Sequence, residues 1–177
     1  MKKFLLILMG LTPVLLSLAQ YKIVDNKSSV KFKIKNLGFN VDGTFSGLEG
    51  NISFDPNRPE EAMFKVSINA STVNTGIDMR DSHLKKESYF NAEKYPQILF
   101  ESTKVLNSKK KSEWIIYGKL TMKNHSKDIS FPFTAEPAGE GMLFKGLFSI
   151  NRKDFDVGGT SVISNNVDVS LQVTADR

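Results

Sequence analysis

The chain contains no cysteine. Disulfides, thiol nucleophiles, cysteine–zinc sites and a lipid attached through an N-terminal cysteine are therefore excluded, and the core must supply stability unaided. Histidine is nearly absent too: His83 and His125 are the only two, far outside any standard zinc spacing. Beyond the first nineteen residues no run approaches the ~20 apolar residues that a helical membrane span needs. Excess charge of one sign is also missing. Without Lys2 and Lys3 the chain carries 22 Lys and Arg against 19 Asp and Glu. A net of +3, spread over alternating positions such as Lys31, Lys33 and Lys35, makes no basic patch for nucleic acid.

What is present begins with an export signal. Met1-Lys2-Lys3 is basic, residues 4–16 are largely apolar, and Ser17-Leu18-Ala19 is a small-x-small cleavage site. That order predicts a signal peptide over residues 1–19, too short for a membrane anchor. Cleavage leaves residues 20–177, the size of one domain with a real core, exported to the periplasm or secreted and not inserted in the membrane.

The remaining chain alternates with period two. Val30, Phe32 and Ile34 interleave with lysines, and a second run spans residues 43–54 with Phe45 on it. Further one-sided lines are Phe64, Val66 and Ile68; Ile98 and Phe100; Trp114, Ile116 and Leu120; Phe131 and Phe133; Phe144, Phe148 and Ile150; and Val167, Val169 and Leu171. Each is a strand with one apolar face. Turn signals separate them, among them Asp55-Pro56-Asn57, Lys123-Asn124-His125-Ser126 and residues 137–141. Eight long sequential strands joined by short turns predict an all-β, up-and-down antiparallel barrel, whose closure removes exposed edges. Residues 77–95 break the alternation and suit a short helical insertion, around 78–90, between the third and fourth strands.

A barrel of this size is either filled by its own side chains or holds one small ligand. Thirteen phenylalanines and in-strand glycines at 43, 47, 50, 118 and 146 favour a wide apolar interior. The bland alternative is that the rings pack one another and the protein acts through its surface. A third reading is an enzyme using Asp81 and His83 as an acid–histidine pair. Ser82 and Ser88 stand nearby, but neither has a nucleophile-elbow context. Arg80, Asp81 and His83 otherwise read as polar groups at a barrel mouth, orienting a ligand's polar end, or as helix caps. The preferred expectation is a binding or carrier protein without catalytic residues, metal or cofactor. It takes one long apolar or amphiphilic lipid among the inward lines and is a monomer or homodimer.

Several blocks stand in a characteristic order and spacing. They are Asp25-x-x-x-Ser29-Val30-x-Phe32-x-Ile34, Phe45-Ser46-Gly47-x-x-Gly50-x-Ile52-x-Phe54-Asp55, and Arg80-Asp81-x-His83-Leu84. Tyr89-Phe90-Asn91-x-x-x-Tyr95-Pro96-x-Ile98-x-Phe100-x-Ser102, Tyr117-Gly118-x-Leu120-Thr121-Met122-Lys123-Asn124 and Ile150-Asn151-Arg152-x-x-Phe155 follow in order. Together these blocks resemble the YceI-like family of bacterial periplasmic proteins, and the resemblance implies a lipocalin-like, extended eight-stranded barrel that binds polyisoprenoid or other long-chain amphiphiles. It carries no cofactor or catalytic set. Asn91 and Asn124 stand where the family more often has aspartate and glycine.

Overall fold

The computed structural model describes residues 19–160 and 162–177. The expected signal peptide, residues 1–19, lies outside these apart from Ala19. Ten strands follow the alternation: β1 (Gln20–Ile23), β2 (Ser29–Asn36), β3 (Phe39–Phe45), β4 (Leu48–Ser53), β5 (Met63–Asn69), β6 (Gln97–Asn107), β7 (Glu113–Met122), β8 (His125–Ala138), β9 (Gly141–Asn151) and β10 (Ile163–Asp176). One α-helix, α1 (Asp78–Leu84), lies between β5 and β6.

The ten strands make eight staves, because the first two staves are each broken. Both β1 and β2 run along β10: Ile23 pairs with Ala175 and Val30 with Leu171. The 3-10 turn Asp25–Lys27 interrupts them. On their other side β3 pairs with β2 and β4 with β1. Asp25 sits in that interruption and accepts hydrogen bonds from the backbone N–H groups of Gly47 and Leu48, which bridges the break between β3 and β4. The order β1-β4-β5-β6-β7-β8-β9-β10 closes on itself through the β1–β10 pairing. All pairings are antiparallel, and no flat pair of layers exists among the described residues.

Two-residue turns at Leu37-Gly38 and Lys123-Asn124 place both central residues at positive φ, the geometry that matches strand twist. The second turn is therefore tighter than the sequence suggests. His125 and Ser126 already belong to β8, and likewise Pro137 and Ala138 close that strand before Gly139-Glu140 turns the chain.

The barrel has two unlike ends. At one end the 54–62, 108–112 and 139–140 connections meet, and the interior is solid. Phe54, only 1 % exposed, enters from just beyond β4 and packs edge-on against Trp114 at 5.1 Å and Phe144 at 5.7 Å. Burial of a ring this complete contributes roughly 1.5–3 kcal/mol. At the other end lie the Leu37-Gly38 turn, the 70–96 insertion, the Lys123-Asn124 turn and the 152–162 segment. There β3 is the last strand of the sheet order, and β5 stops at Asn69. A Thr44–Asn74 bridge joins β3 to the insertion, which fills the gap in the wall.

Candidate binding cavity

A cavity of about 300 Å³ runs from the middle of the barrel to this second end. One water needs roughly 10–15 Å³ by the same kind of measure, so this is no packing defect. It lies at the lower end of the roughly 300–1,000 Å³ found for small-molecule sites. The solid aromatic end forms its floor.

The wall is built by strand pleating, which turns every second residue inward. Phe32 and Ile34 come from β2, Phe45 from β3, and Phe64, Val66 and Ile68 from β5. Strands β6 and β7 add Ile98, Phe100, Ile116 and Leu120, and β8 and β9 add Phe131, Phe133, Phe144, Phe148 and Ile150. With Val30, Val167, Val169 and Leu171, nineteen of the twenty residues placed on the apolar lines thus line one cavity. Trp114 does not: it belongs to the floor, 6 % exposed, and its indole Nε1 has no hydrogen-bond partner among the described residues. On β6 a bulge after Ser102 shifts the inward alternation, which resumes at the buried Val105; the Ser102 hydroxyl accepts from the Phe64 backbone N–H at 2.8 Å. That polar group is spent on the wall.

Glycines keep the lumen open in an unexpected way. A Cβ on Gly43 would stand 2.2 Å from the ring of Phe32, its cross-strand partner. A Cβ on Gly118 would stand 2.5 Å from the ring of Phe100. Each phenylalanine therefore lies flat over a glycine instead of projecting toward the axis. Phe131 and Phe148 stack face to face at 4.3 Å, which flattens a third part of the wall.

The insertion covers the mouth. Arg80, His83 and Leu84 lie at i, i+3 and i+4 on α1 and so share the face that meets the cavity. After α1 the chain continues in tight turns to Pro96, with Asn91 at a φ of +48°. The Tyr89 and Phe90 side chains also line the cavity, and Phe90 meets Phe45 edge-on at 5.4 Å. Hydrogen bonds tie this cover to the 152–162 segment. Gly158 N–H donates to the Ser88 carbonyl at 2.8 Å. The ammonium of Lys123 donates to the Glu87 carbonyl at 3.1 Å and the Asp156 carbonyl at 2.6 Å.

The three polar mouth residues expected from the sequence are not equivalent. Arg80 and His83 line the cavity. Asp81 does not; it is 8 % exposed and accepts hydrogen bonds from the backbone N–H and hydroxyl of Thr75. Thr75 in turn accepts from Arg80: Nε donates to its Oγ1 at 2.7 Å and Nη2 to its carbonyl at 2.9 Å. Asp81 therefore positions Arg80 through Thr75. The acid–histidine pair that the enzyme reading needs is not formed, since Asp81 is committed to Thr75 and the His83 ring packs edge-on against Tyr89 at 5.1 Å.

The sequence reading missed one deeply placed charge. Arg152 is 3 % exposed and borders the cavity. Its guanidinium donates to the carbonyls of Val157 at 2.6 Å, Ser164 at 2.9 Å and Ile163 at 3.2 Å. Burial pulls its pKa below the ordinary arginine value, and Tyr89 beside it pushes the other way. It folds the 152–162 segment back across the mouth.

A closed antiparallel barrel thus encloses, above a solid floor, an apolar cavity with a polar mouth. The chain belongs to the YceI-like family, whose domain matches residues 21–175. A UPF0312 protein of Photorhabdus laumondii is 35% identical over 126 residues, 70% of this chain and 64% of the relative. Another from Pseudomonas putida is 29% identical over 164 residues, 88% of this chain and 85% of the relative. Among solved structures, BcnA of Burkholderia cenocepacia matches with a TM-score of 0.81 at 24% identity, covering 86% of this chain and 99% of BcnA. A polyisoprenoid binding domain from Saccharophagus degradans, implicated in plant cell wall breakdown, matches at 0.72 and 16% identity, covering 88% and 97%. These two share the fold.

Proposed function

We propose that the protein is an exported carrier that shields one long-chain lipid, isoprenoid-like in its tail, from water in the periplasm. The observation that carries this reading is the cavity itself: about 300 Å³ bounded by phenylalanine, isoleucine, leucine and valine side chains from all around the barrel. Such a wall offers an apolar guest ~0.8 kcal/mol per CH₂ removed from water and offers a polar one nothing below the mouth. The tail enters toward the aromatic floor, and the polar end stays beside Arg80, His83 and Tyr89. Binding is the whole activity in this reading; no cofactor is needed. The fold shared with a polyisoprenoid binding domain supports the choice of tail.

The test is native mass spectrometry of the exported protein purified without detergent, followed by titration with a prenyl lipid. A one-to-one lipid adduct is expected, on a chain that begins at Gln20 and fractionates with the periplasm. A protein that emerges without lipid and takes up none when offered overturns the proposal.

A further inference from the structure

The ionisable groups that border the cavity are unequal in sign. Among the described residues they are Arg80, His83, Tyr89, Lys145 and Arg152, and no aspartate or glutamate is with them. Lys145 faces outward at its charged end, where its ammonium meets Glu136 at 3.0 Å. The mouth thus presents two guanidinium groups and an imidazole. Such a set lowers the free energy of an anion placed there, the more so because the apolar wall keeps the local dielectric low.

Arg80 is prepared for direct recognition. Thr75 takes its Nε hydrogen and one Nη2 hydrogen, and Asp81 holds Thr75 from behind through its N–H at 2.8 Å. The Nη1 hydrogens and the second Nη2 hydrogen have no partner among the described residues. They form the end-on fork of the guanidinium, the edge that matches two oxygens of a carboxylate or phosphate. Arg152 cannot serve the same way, since its donors go to the Val157, Ile163 and Ser164 carbonyls; it adds positive potential.

Resting on the lipid-carrier reading, we propose that the Arg80 guanidinium receives the polar end of the bound lipid, and that this polar end is an oxyanion, a carboxylate or a phosphate. Asp81 is a positioning residue for that fork.

Three probes with one tail test this: farnesoic acid, farnesyl phosphate and farnesol, titrated calorimetrically into the wild-type protein freed of lipid. Both oxyanions are expected to bind at least about tenfold tighter than farnesol, which is ~1.4 kcal/mol. Their ratio to each other identifies which oxyanion fits. Arg80→Gln is expected to cost the two anions about tenfold or more and farnesol no more than about twofold; Arg80→Lys, which keeps the charge but not the fork, falls between. Farnesol binding as tight as the anions overturns the proposal, as does an Arg80→Gln loss shared equally by all three. The wild-type series decides even if the variant does not fold. If none of the three binds, the carrier reading itself fails.

Discussion

Phe54 and Phe148 are both phenylalanines on the inner surface, yet their surroundings separate floor from cavity. Phe54 touches the rings of Phe64, Trp114, Phe133 and Phe144 and is closed off from solvent. Phe148 is half-buried, stacks on Phe131 alone among the aromatic rings, and borders the cavity. Phe54→Ala should therefore cost about 3–5 kcal/mol in urea unfolding and leave the residual lipid site unaltered in shape. Phe148→Ala should cost about 1–2 kcal/mol, because the space it leaves joins one already present, and should shift the preferred lipid toward a longer or branched tail. Equal stability losses would mean that the two ends are packed alike. The alternation reveals which residues point inward but not how high along the axis they sit, so Trp114 reads as a cavity residue until its place at the start of β7, opposite Asn107 at the end of β6, puts it at the floor. Arg152 leaves no trace in the pattern, because its role depends on a loop returning over it. Asp81 is likewise ambiguous until Thr75, six residues earlier, is seen to take its carboxylate.

At the scale of elements, the cover over the mouth is a joint product of three connections. The 70–96 insertion brings Leu84 and Phe90, the 152–162 segment brings Val157, and the Lys123-Asn124 turn supplies the ammonium that ties the other two together. Lys123 is 8% exposed at its side chain, whereas its ion-pair partner Asp156 is 64% exposed. The carbonyl bonds, more than the exposed carboxylate, make the tie. Lys123→Ala should release the two covers from each other. Lipid dissociation is expected to speed up severalfold in stopped-flow transfer to acceptor vesicles, while thermal stability falls by about 1–2 kcal/mol. An unchanged dissociation rate would place the lipid's route elsewhere than between these covers. The insertion is legible in the sequence as a failure of alternation, and its position between the third and fourth staves follows from counting strands. Its shape is less legible: the helix is only Asp78–Leu84, and turns carry the chain from there to Pro96.

At the scale of the whole molecule, everything depends on closure, and closure rests on the shortest strand. β1 pairs with β4 through Gln20–Ser53, Tyr21–Ile52 and Lys22–Asn51, and with β10 through Lys22–Asp176 and Ile23–Ala175. Eight one-sided strands in a row already imply a ring, because an open sheet of that kind would leave two sticky edges. What the sequence does not reveal is that the first two staves are broken, since the Asp25–Lys27 turn and Ser46-Gly47 look like ordinary pauses between strands. The consequence is that a segment of four residues holds the seam at the floor. Tyr21 and Ile23 face inward there, 6 % and 8 % exposed. Removing residues 20–23 should withdraw roughly 3–6 kcal/mol of side-chain burial and leave β4 and β10 with unpaired backbone groups. The shortened protein is expected to unfold at much lower urea, with a broadened transition, and to form oligomers on a sizing column through the two freed edges. The proposed cleavage after Ala19 would spare this strand entirely, whereas a cut four residues later would destroy the seam. A truncated protein that elutes from the sizing column in the same oligomeric state as the full-length one, with an unaltered urea midpoint, would show that the barrel is held shut by β2 and β3 alone, and that β1 is only a lining for the aromatic floor.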